Sequence, residues 1–157
     1  MSSELTFGKA DASDVDALTD LINRAFQIER FFVYGNRITA PEVSDRLKAG
    51  TFILAKSGDQ LVGSVYVELR GQRCYVGLLA VDPSRQKAGV GTRLMKAAED
   101  QGRAYGSKAM DLQIVNLREE MARFYGRLGY AETGTLPFPV GVPTKLKCHF
   151  ITMAKTL

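Results

Sequence analysis

The sequence has few of the residues that build disulfide frameworks and metal sites. Its 157 residues include two cysteines, Cys74 and Cys148, and a single histidine, His149. One distant pair of cysteines gives no disulfide framework, and it lacks the close ligand spacing of a zinc site. We therefore expect no bound metal ion, and we expect the protein to work in the reducing cytoplasm.

Long apolar runs and a strong charge of one sign are also missing. No run approaches the roughly 18 apolar residues that a membrane-spanning helix needs, and residues 1–5 lack the basic and then apolar blocks of a secretion signal. The net charge is +4, from 21 basic and 17 acidic residues. The basic residues are scattered and form no stripe, so the sequence indicates neither a membrane nor a nucleic-acid partner. A mildly basic surface still suits an anionic ligand.

Hydrophobic periodicity predicts one α/β domain that spans residues 1–157. Strand and helix patterns follow one another in the order β-α-α-β-β-β-α-β-α-β-β. The second helix has a clear start, because Thr39-Ala40-Pro41-Glu42 forms a capping box with proline in the first turn. Three hairpin-linked strands and a later βαβ crossover predict a mixed sheet with helices on both faces. The strand Tyr75–Val81 is nearly all apolar, which predicts burial on both of its faces.

The most informative segment is 81–94, where this strand stops, a basic loop follows and a helix begins. Gly89 and Gly91 let backbone N–H groups turn toward one point without a Cβ in the way. The first helical turn adds free N–H donors and the positive end of the helix dipole. Together these features predict a cradle for a pyrophosphate group. Basic side chains close to the cradle are Arg85, Lys87 and Arg93.

Other glycine-rich phosphate sites fit this segment less well. A dinucleotide-binding fingerprint needs a third glycine where the sequence has Leu94. A P-loop needs Gly-Lys-Ser/Thr, and the sequence has Gly91-Thr92-Arg93 instead. A helix start that uses glycine and binds no ligand is the alternative that spacing alone leaves open.

Three segments in succession resemble a known family. The loop reads Gln86-Lys87-Ala88-Gly89-Val90-Gly91, the strand before it reads Leu78-Leu79-Ala80-Val81-Asp82-Pro83, and Asn116 precedes Phe124-Tyr125-Gly126-Arg127-Leu128-Gly129-Tyr130. They are similar to the Gln/Arg-x-x-Gly-x-Gly/Ala loop, the Leu-x-Val-x-Pro strand, and the Asn and Tyr-x-x-x-Gly-Phe/Tyr pattern of the GNAT superfamily of N-acetyltransferases. The order of elements agrees from the first strand to the last. The resemblance implies a GNAT-like fold, with a mixed, mostly antiparallel central sheet of about six to seven strands and a splayed central pair.

The resemblance implies acetyl-coenzyme A (acetyl-CoA) as the cofactor. In this family the pantetheine arm lies along the splayed strand like an added strand, so the main-chain groups of Leu79, Ala80 and Val81 are expected to hold it. The side chain of Asn116 is expected to reach the pantetheine, and a role as helix N-cap can coexist with that one. The residues expected at the pyrophosphate are Gln86, Lys87, Ala88, Gly89, Val90, Gly91 and Thr92.

The resemblance also implies direct attack of an amine on the thioester. Tyr125 matches the family tyrosine that faces the sulfur, so it is expected to protonate the leaving thiolate, with a packed tyrosine as the alternative. Many members carry an acid on the strand that leads to the splay, but this sequence has Gly77 there. Glu68 on the preceding strand is the candidate base through a water molecule, or else an exposed strand-end glutamate. His149 is a second candidate, or else a packed histidine.

Aromatic residues occur where the family builds its acceptor pocket. Phe31, Phe32 and Tyr34 lie between the first two helices, and Phe138 lies in the final loop. They are expected to bind a small or partly apolar amine, with core packing or a dimer contact as the alternative. The resemblance therefore implies an N-acetyltransferase that acts on a primary amine of a small molecule or a protein through a ternary complex. A catalytically weak acyl-CoA-binding or sensor module of the same fold is the alternative, which the missing acid at Gly77 favours. A homodimer stays open.

Overall fold

The computed structural model describes residues 4–86 and 88–157, and their strands and helices follow the expected order. In these residues the strands are β1 (Leu5–Lys9), β2 (Thr51–Ser57), β3 (Gln60–Arg70), β4 (Arg73–Val81), β5 (Ala109–Val115), β6 (Ala131–Pro137) and β7 (His149–Thr156). The α-helices are α1 (Val15–Ala25), α2 (Ala40–Ala49), α3 (Val90–Ala104) and α4 (Glu119–Arg127). Short 3₁₀ segments cover Ala12–Asp14, Phe26–Phe31 and Pro83–Arg85. None of the described helices combines the length and apolar character that a membrane crossing requires.

The strands form one sheet in the order β1-β2-β3-β4-β5-β7-β6. Every neighbouring pair is antiparallel except β4 and β5, which run parallel. Parallel neighbours need a crossover connection, and α3 supplies it between β4 and β5. The predicted α/β fold with a mixed, mostly antiparallel sheet is therefore confirmed.

Helices cover both faces of the sheet, and each face has its own buried core. Leu94 and Met95 of α3 and Tyr125 of α4 are buried on one face. Leu21 of α1 and Val43 of α2 are buried on the other. Each fully buried aliphatic side chain of this kind contributes about 1.5–3 kcal/mol relative to an exposed one, so the two layers fix the sheet between them.

A β-bulge in β4 reverses which of its side chains face which helices. Leu78 has φ 52°, in the left-handed region that is uncommon for a residue other than glycine, and the pairing with β3 shifts register at this point. Before the bulge, Cys74 and Val76 pack in the core of α3 and α4, and after it Leu78 and Ala80 pack in the core of α1 and α2. The prediction that this strand is buried on both faces is confirmed only in part: its residues pack into both cores and none of residues 75–81 is exposed, but not all of them are buried. Buried and half-buried residues alternate along it, because the half-buried ones border an open cleft.

The strands β4 and β5 separate soon after they begin to pair. Their parallel register contains only two pairs, Cys74 with Met110 and Tyr75 with Asp111. Beyond them, residues 77–79 of β4 and 112–115 of β5 line opposite sides of a cavity. The expected splayed central pair is confirmed, and it opens the middle of the sheet.

Candidate active site

A cavity of about 570 Å³ lies at the start of α3. Gly89 is the N-cap of this helix and has φ 79°, a left-handed conformation that glycine adopts at little cost. Because glycine has no side chain to accept from them, the first N–H groups of α3 stay available to a ligand. Arg85 and Arg127 line the same cavity and add positive charge. The arrangement suits an anionic group such as a pyrophosphate.

Gly91 brings the start of α3 close to α4. A Cβ built at this position would lie 3.4 Å from Cζ of Phe124, whose ring also lines the cavity. A larger residue would therefore fill the space between the helix start and the ring. The residues present fit a cofactor whose phosphates lie against backbone N–H groups and whose apolar part follows the cleft.

An ion pair fixes the loop that leads into α3. The Asp82 carboxylate accepts hydrogen bonds from the backbone N–H of Ser84 at 2.9 Å and from its hydroxyl at 2.8 Å, and it pairs with Arg24 at 2.9 Å. The Arg24 guanidinium and the two Ser84 donors lower the pKa of Asp82 to about 2. The charge on Asp82 thus ties the end of β4 to α1.

The residues predicted to bind the cofactor occupy different positions around this cavity. Ala80 faces the opposite core and is buried at 1% exposure. Ala88 is exposed and is not among the lining residues, and Lys87 lies outside the described residues. The predicted residues that do line the cavity are Leu79, Val81, Gln86, Gly89, Val90, Gly91 and Thr92.

Asn116 does not cap α4. The N-cap is Arg118, which makes no side-chain capping bond, so the predicted capping role of Asn116 is wrong. Asn116 follows the last residue of β5, and its Oδ1 accepts from the backbone N–H of His149 at 2.8 Å. Its own N–H donates to the His149 carbonyl at 2.9 Å. These bonds hold the end of β5 against β7, and neither Asn116 nor His149 lines either cavity.

A second cavity, of about 360 Å³, lies in the splay between β4 and β5. Four residues line both cavities, which places the two side by side. They are Phe26, Leu79, Arg118 and Met121. A ligand in the first cavity and a ligand in the second would therefore meet near Leu79.

Two of the four aromatic residues predicted for the acceptor side line this second cavity. Tyr34 and Phe138 do so, whereas Phe32 is fully buried and Phe31, 49% exposed, packs edge-to-face on it at 4.8 Å. Phe26 also lines this cavity, but it was not predicted as a site residue, because its position in the sequence fits the apolar face of α1. The helix continues as a 3₁₀ turn from Phe26, where residues three apart share one side, and this turn brings Phe26 to the cavity.

Tyr125 lies on α4 with its side chain in the second cavity. It is 6% exposed, and its ring packs edge-to-face against Phe124 at 5.1 Å and Tyr130 at 5.8 Å. Burial raises the pKa of the Tyr125 phenol, and the nearby charge of Arg118 acts in the opposite direction. The phenol is therefore protonated at neutral pH and available as a hydrogen-bond donor.

Glu68 lines neither cavity. Its carboxylate accepts from the Tyr66 hydroxyl at 2.7 Å and pairs with Arg70 at 2.5 Å. Burial acts to raise the pKa of Glu68, but the hydrogen bonds from Tyr66 and Arg70 outweigh it and lower the pKa. Its position and its ion pair do not support the predicted role as a base. At the family's acid position, the ring and hydroxyl of Tyr75 cover Gly77 and occupy the space that a Cβ would need.

A buried acid of the second cavity, Glu29, was not predicted from the sequence. Glu29 is 8% exposed, and its carboxylate meets Nη1 of Arg118 at 3.2 Å. Burial raises the pKa of Glu29, and the charge of Arg118 offsets part of the increase. One signal in the sequence is its spacing of three from Phe26, because a 3₁₀ turn places residues three apart on the same side.

Comparisons with solved structures agree with this fold. The chain superimposes on the ribosomal-protein-S18-alanine N-acetyltransferase of Escherichia coli with a TM-score of 0.81 at 15% identity, covering 98% of this chain and 94% of that one. Ard1 of Thermoplasma volcanium gives 0.80 at 18% identity, with 98% and 97% covered. The protein yncA of Salmonella typhimurium, solved with its cofactor acetyl-CoA, gives 0.76 at 20% identity, with 98% and 94% covered. A search of curated proteins finds no match.

A family model decides the assignment. The model of the acetyltransferase (GNAT) family matches residues 15–130, which is most of the chain and includes α3, the splay and Tyr125. This family transfers acetyl groups and uses acetyl-CoA as its cofactor. The chain therefore belongs to the acetyltransferase (GNAT) family.

Proposed function

We propose that the protein transfers an acetyl group from acetyl-CoA to a primary amine by direct attack in a ternary complex. The observation that carries this proposal is the meeting of two cavities at the splay, where Phe26, Leu79 and Arg118 line both. Of the described residues, those that line the cavities include no cysteine and no serine. The absence of these nucleophiles from the described lining favours direct transfer over a covalent acyl-enzyme.

The chain's own residues would hold the cofactor at two places. Backbone N–H groups at the start of α3, beside Gln86 and Thr92, bind the pyrophosphate. The edge of β4 at Leu79 and Val81, which the splay exposes, binds the pantetheine arm through its main chain. Acetyl-CoA bound there supplies a thioester carbonyl carbon as the electrophile.

Tyr125 is suited to serve the departing sulfur. Its phenol is protonated because burial raises its pKa, and it lies in the cavity where an acceptor would bind. A phenol of raised pKa is a weak acid in the resting site, so it acts first as a hydrogen-bond donor. It gives up its proton only as negative charge develops on the sulfur.

The second cavity, called the acceptor cavity from here on, suits a small primary amine or the amino end of a peptide. Its volume of about 360 Å³ and its aromatic residues, Tyr34 and Phe138, suit a partly apolar group next to the amine. The Escherichia coli neighbour acts on an alanine of ribosomal protein S18. An alanine-ended peptide is therefore one acceptor class to compare with small amines.

The test combines calorimetric titration with acetyl-CoA and a thiol-release assay. The amine panel contains tyramine, benzylamine, lysine, spermidine and a short peptide with an N-terminal alanine. Binding with amine-dependent thiol release supports the proposal and ranks the acceptors. Binding without release across the panel would instead favour an acyl-CoA-binding module. A lack of acetyl-CoA binding would contradict the assignment of the first cavity to the cofactor.

A further inference from the structure

Glu29 and Arg118 form an ion pair at the junction of the two cavities. Their side chains are 11% and 15% exposed, and 3.2 Å separates Oε2 of Glu29 from Nη1 of Arg118. Glu29 lines only the acceptor cavity, whereas Arg118 lines both the acceptor cavity and the cofactor cavity. The second contact of Arg118 is with Glu120, at 3.0 Å and on the cofactor side. Arg118 thus connects the acceptor cavity with the cofactor cavity.

Among the described residues, two acids line the acceptor cavity, Glu29 and Glu42. The carboxylate of Glu42 is used in a helix cap, and that of Glu29 is not. The carboxylate of Glu42 accepts from the backbone N–H and the hydroxyl of Thr39 at the start of α2, at 3.1 and 2.9 Å. Glu29 makes no capping bond and instead pairs with Arg118. The place of a strand acid is taken by Gly77 and covered by the ring of Tyr75.

Charged and titratable groups reach Glu29 from several elements. Arg118 and Arg37 act to keep it ionised, and Glu120 acts against ionisation. Burial raises the pKa of the Cys148 thiol, just before β7, and the nearby charge of Glu29 raises it further. Glu29 is therefore a buried carboxylate of the acceptor cavity that one close guanidinium stabilises.

We propose that Glu29 receives the acceptor ammonium and takes its proton, and that Arg118 is the positioning residue that holds the Glu29 carboxylate. The inference rests on the proposed function, and it supplies the base that neither Glu68 nor Gly77 provides. The ammonium N–H proton passes to Oε of Glu29, directly or through one water, and the N–H electron pair stays on nitrogen. That pair forms the N–C bond while the C–S pair leaves with sulfur, which takes the proton of Tyr125. Glu29 then releases its proton to solvent, and the second nitrogen proton restores Tyr125.

The test is the pH profile of kcat/KM for wild type and Glu29→Gln, with saturating acetyl-CoA and the panel amine that wild type acetylates fastest. With ionised Glu29 the enzyme uses the abundant ammonium form, so the wild-type rate is flat between the pKa of Glu29 and that of the amine. Glu29→Gln can use only neutral amine, so its rate is expected to fall by about 10²-fold or more at pH 7 and to rise tenfold per pH unit. Glu119→Gln, an exposed acid in the first turn of α4, is the matched control and should keep the wild-type profile.

The pH profile of Arg118→Gln is a second test of the proposal, and it does not depend on whether Glu29→Gln folds well. Removing the guanidinium destabilises the ionised form of Glu29, so the flat region should begin at a higher pH. A Glu29→Gln enzyme that melts like wild type and loses rate equally at every pH would overturn the base role, as would an Arg118→Gln profile that does not move. In both cases wild-type turnover would still stand. Absence of wild-type thiol release would refute the proposed function and this inference with it.

Discussion

The close contact between Tyr75 and Gly77 explains why this chain has no side chain at the family's acid position, and it can be tested by stability. A Cβ at residue 77 would overlap the Tyr75 hydroxyl oxygen and would lie 2.8 Å from its ring carbons Cε2 and Cζ. Gly77 has no positive φ, so alanine fits its backbone. The added methyl group in Gly77→Ala would therefore push the Tyr75 ring away by about 1 Å to reach ordinary contact distance.

The expected cost follows from what Tyr75 loses when it moves. Its ring stacks under the Arg70 guanidinium at 4.2 Å and lines the acceptor cavity. Overpacking of this kind costs about 1–3 kcal/mol, so Gly77→Ala should lower the free energy of unfolding by about 1–2 kcal/mol. In a Tyr75→Ala background the clash is absent, and the same change should raise stability by about 0.4–1 kcal/mol, because alanine restricts the unfolded chain. The effect of one substitution therefore changes sign with its neighbour.

Urea denaturation of the wild type, both single variants and the double variant closes the cycle. Gly8→Ala is the control, because Gly8 is a strand residue with no atom within 4 Å of an added Cβ, and it should be stabilising in both backgrounds. If Gly77→Ala changed the stability equally with and without Tyr75, the ring would not cover residue 77. The explanation for the missing acid would then fail.

Three further predictions concern Gly89 in the cofactor cradle, Tyr125 as the proton donor to the leaving sulfur, and Asp82, which anchors the loop before α3. Gly89→Asp should weaken acetyl-CoA binding at least tenfold in calorimetry, since it adds negative charge and left-handed strain at φ 79°; Gly89→Asn carries similar strain without charge and should weaken it less. Tyr125→Phe keeps the packed ring and should lower kcat about 10–100-fold with unchanged acetyl-CoA affinity, whereas equal loss of both would indicate a packing role only. Asp82→Asn should lower the free energy of unfolding by about 1 kcal/mol near pH 7, as measured by urea denaturation. The effect is modest because the partly exposed Arg24 weakens the ion pair. Because the folded pKa of Asp82 is lowered to about 2, this advantage is present above its unfolded pKa near 4 and should vanish as pH falls to about 2; a difference that persists there would contradict the anchor.

Local chemistry made most of the fold predictable. The capping box at Thr39 fixes the start of α2, and the structure has both of its reciprocal bonds with Glu42. Gly89 marks the start of α3 because its left-handed conformation suits glycine. These signals need only residues a few positions apart, so one sequence contains them in full. The same is not true of Asn116, whose predicted cap was wrong because its partner is the backbone of His149, 33 positions away.

The position of the proposed base, Glu29, could not be predicted from the sequence for a second reason, because it depends on several elements at once. Glu68 lies on the same side of β3 as Tyr66 and Arg70, two positions away in either direction, and these neighbours occupy its carboxylate oxygens. Glu29 lies in a short 3₁₀ turn with no repeating pattern, and it meets Arg118, 89 positions away, only when α4 is packed on the sheet. A carboxylate on the α1–α2 segment can replace one on β4 because the splay brings both to the same cavity. In the proposed mechanism the proton is therefore taken in the cavity at the splay, although the acid comes from the turn after α1 and not from β4.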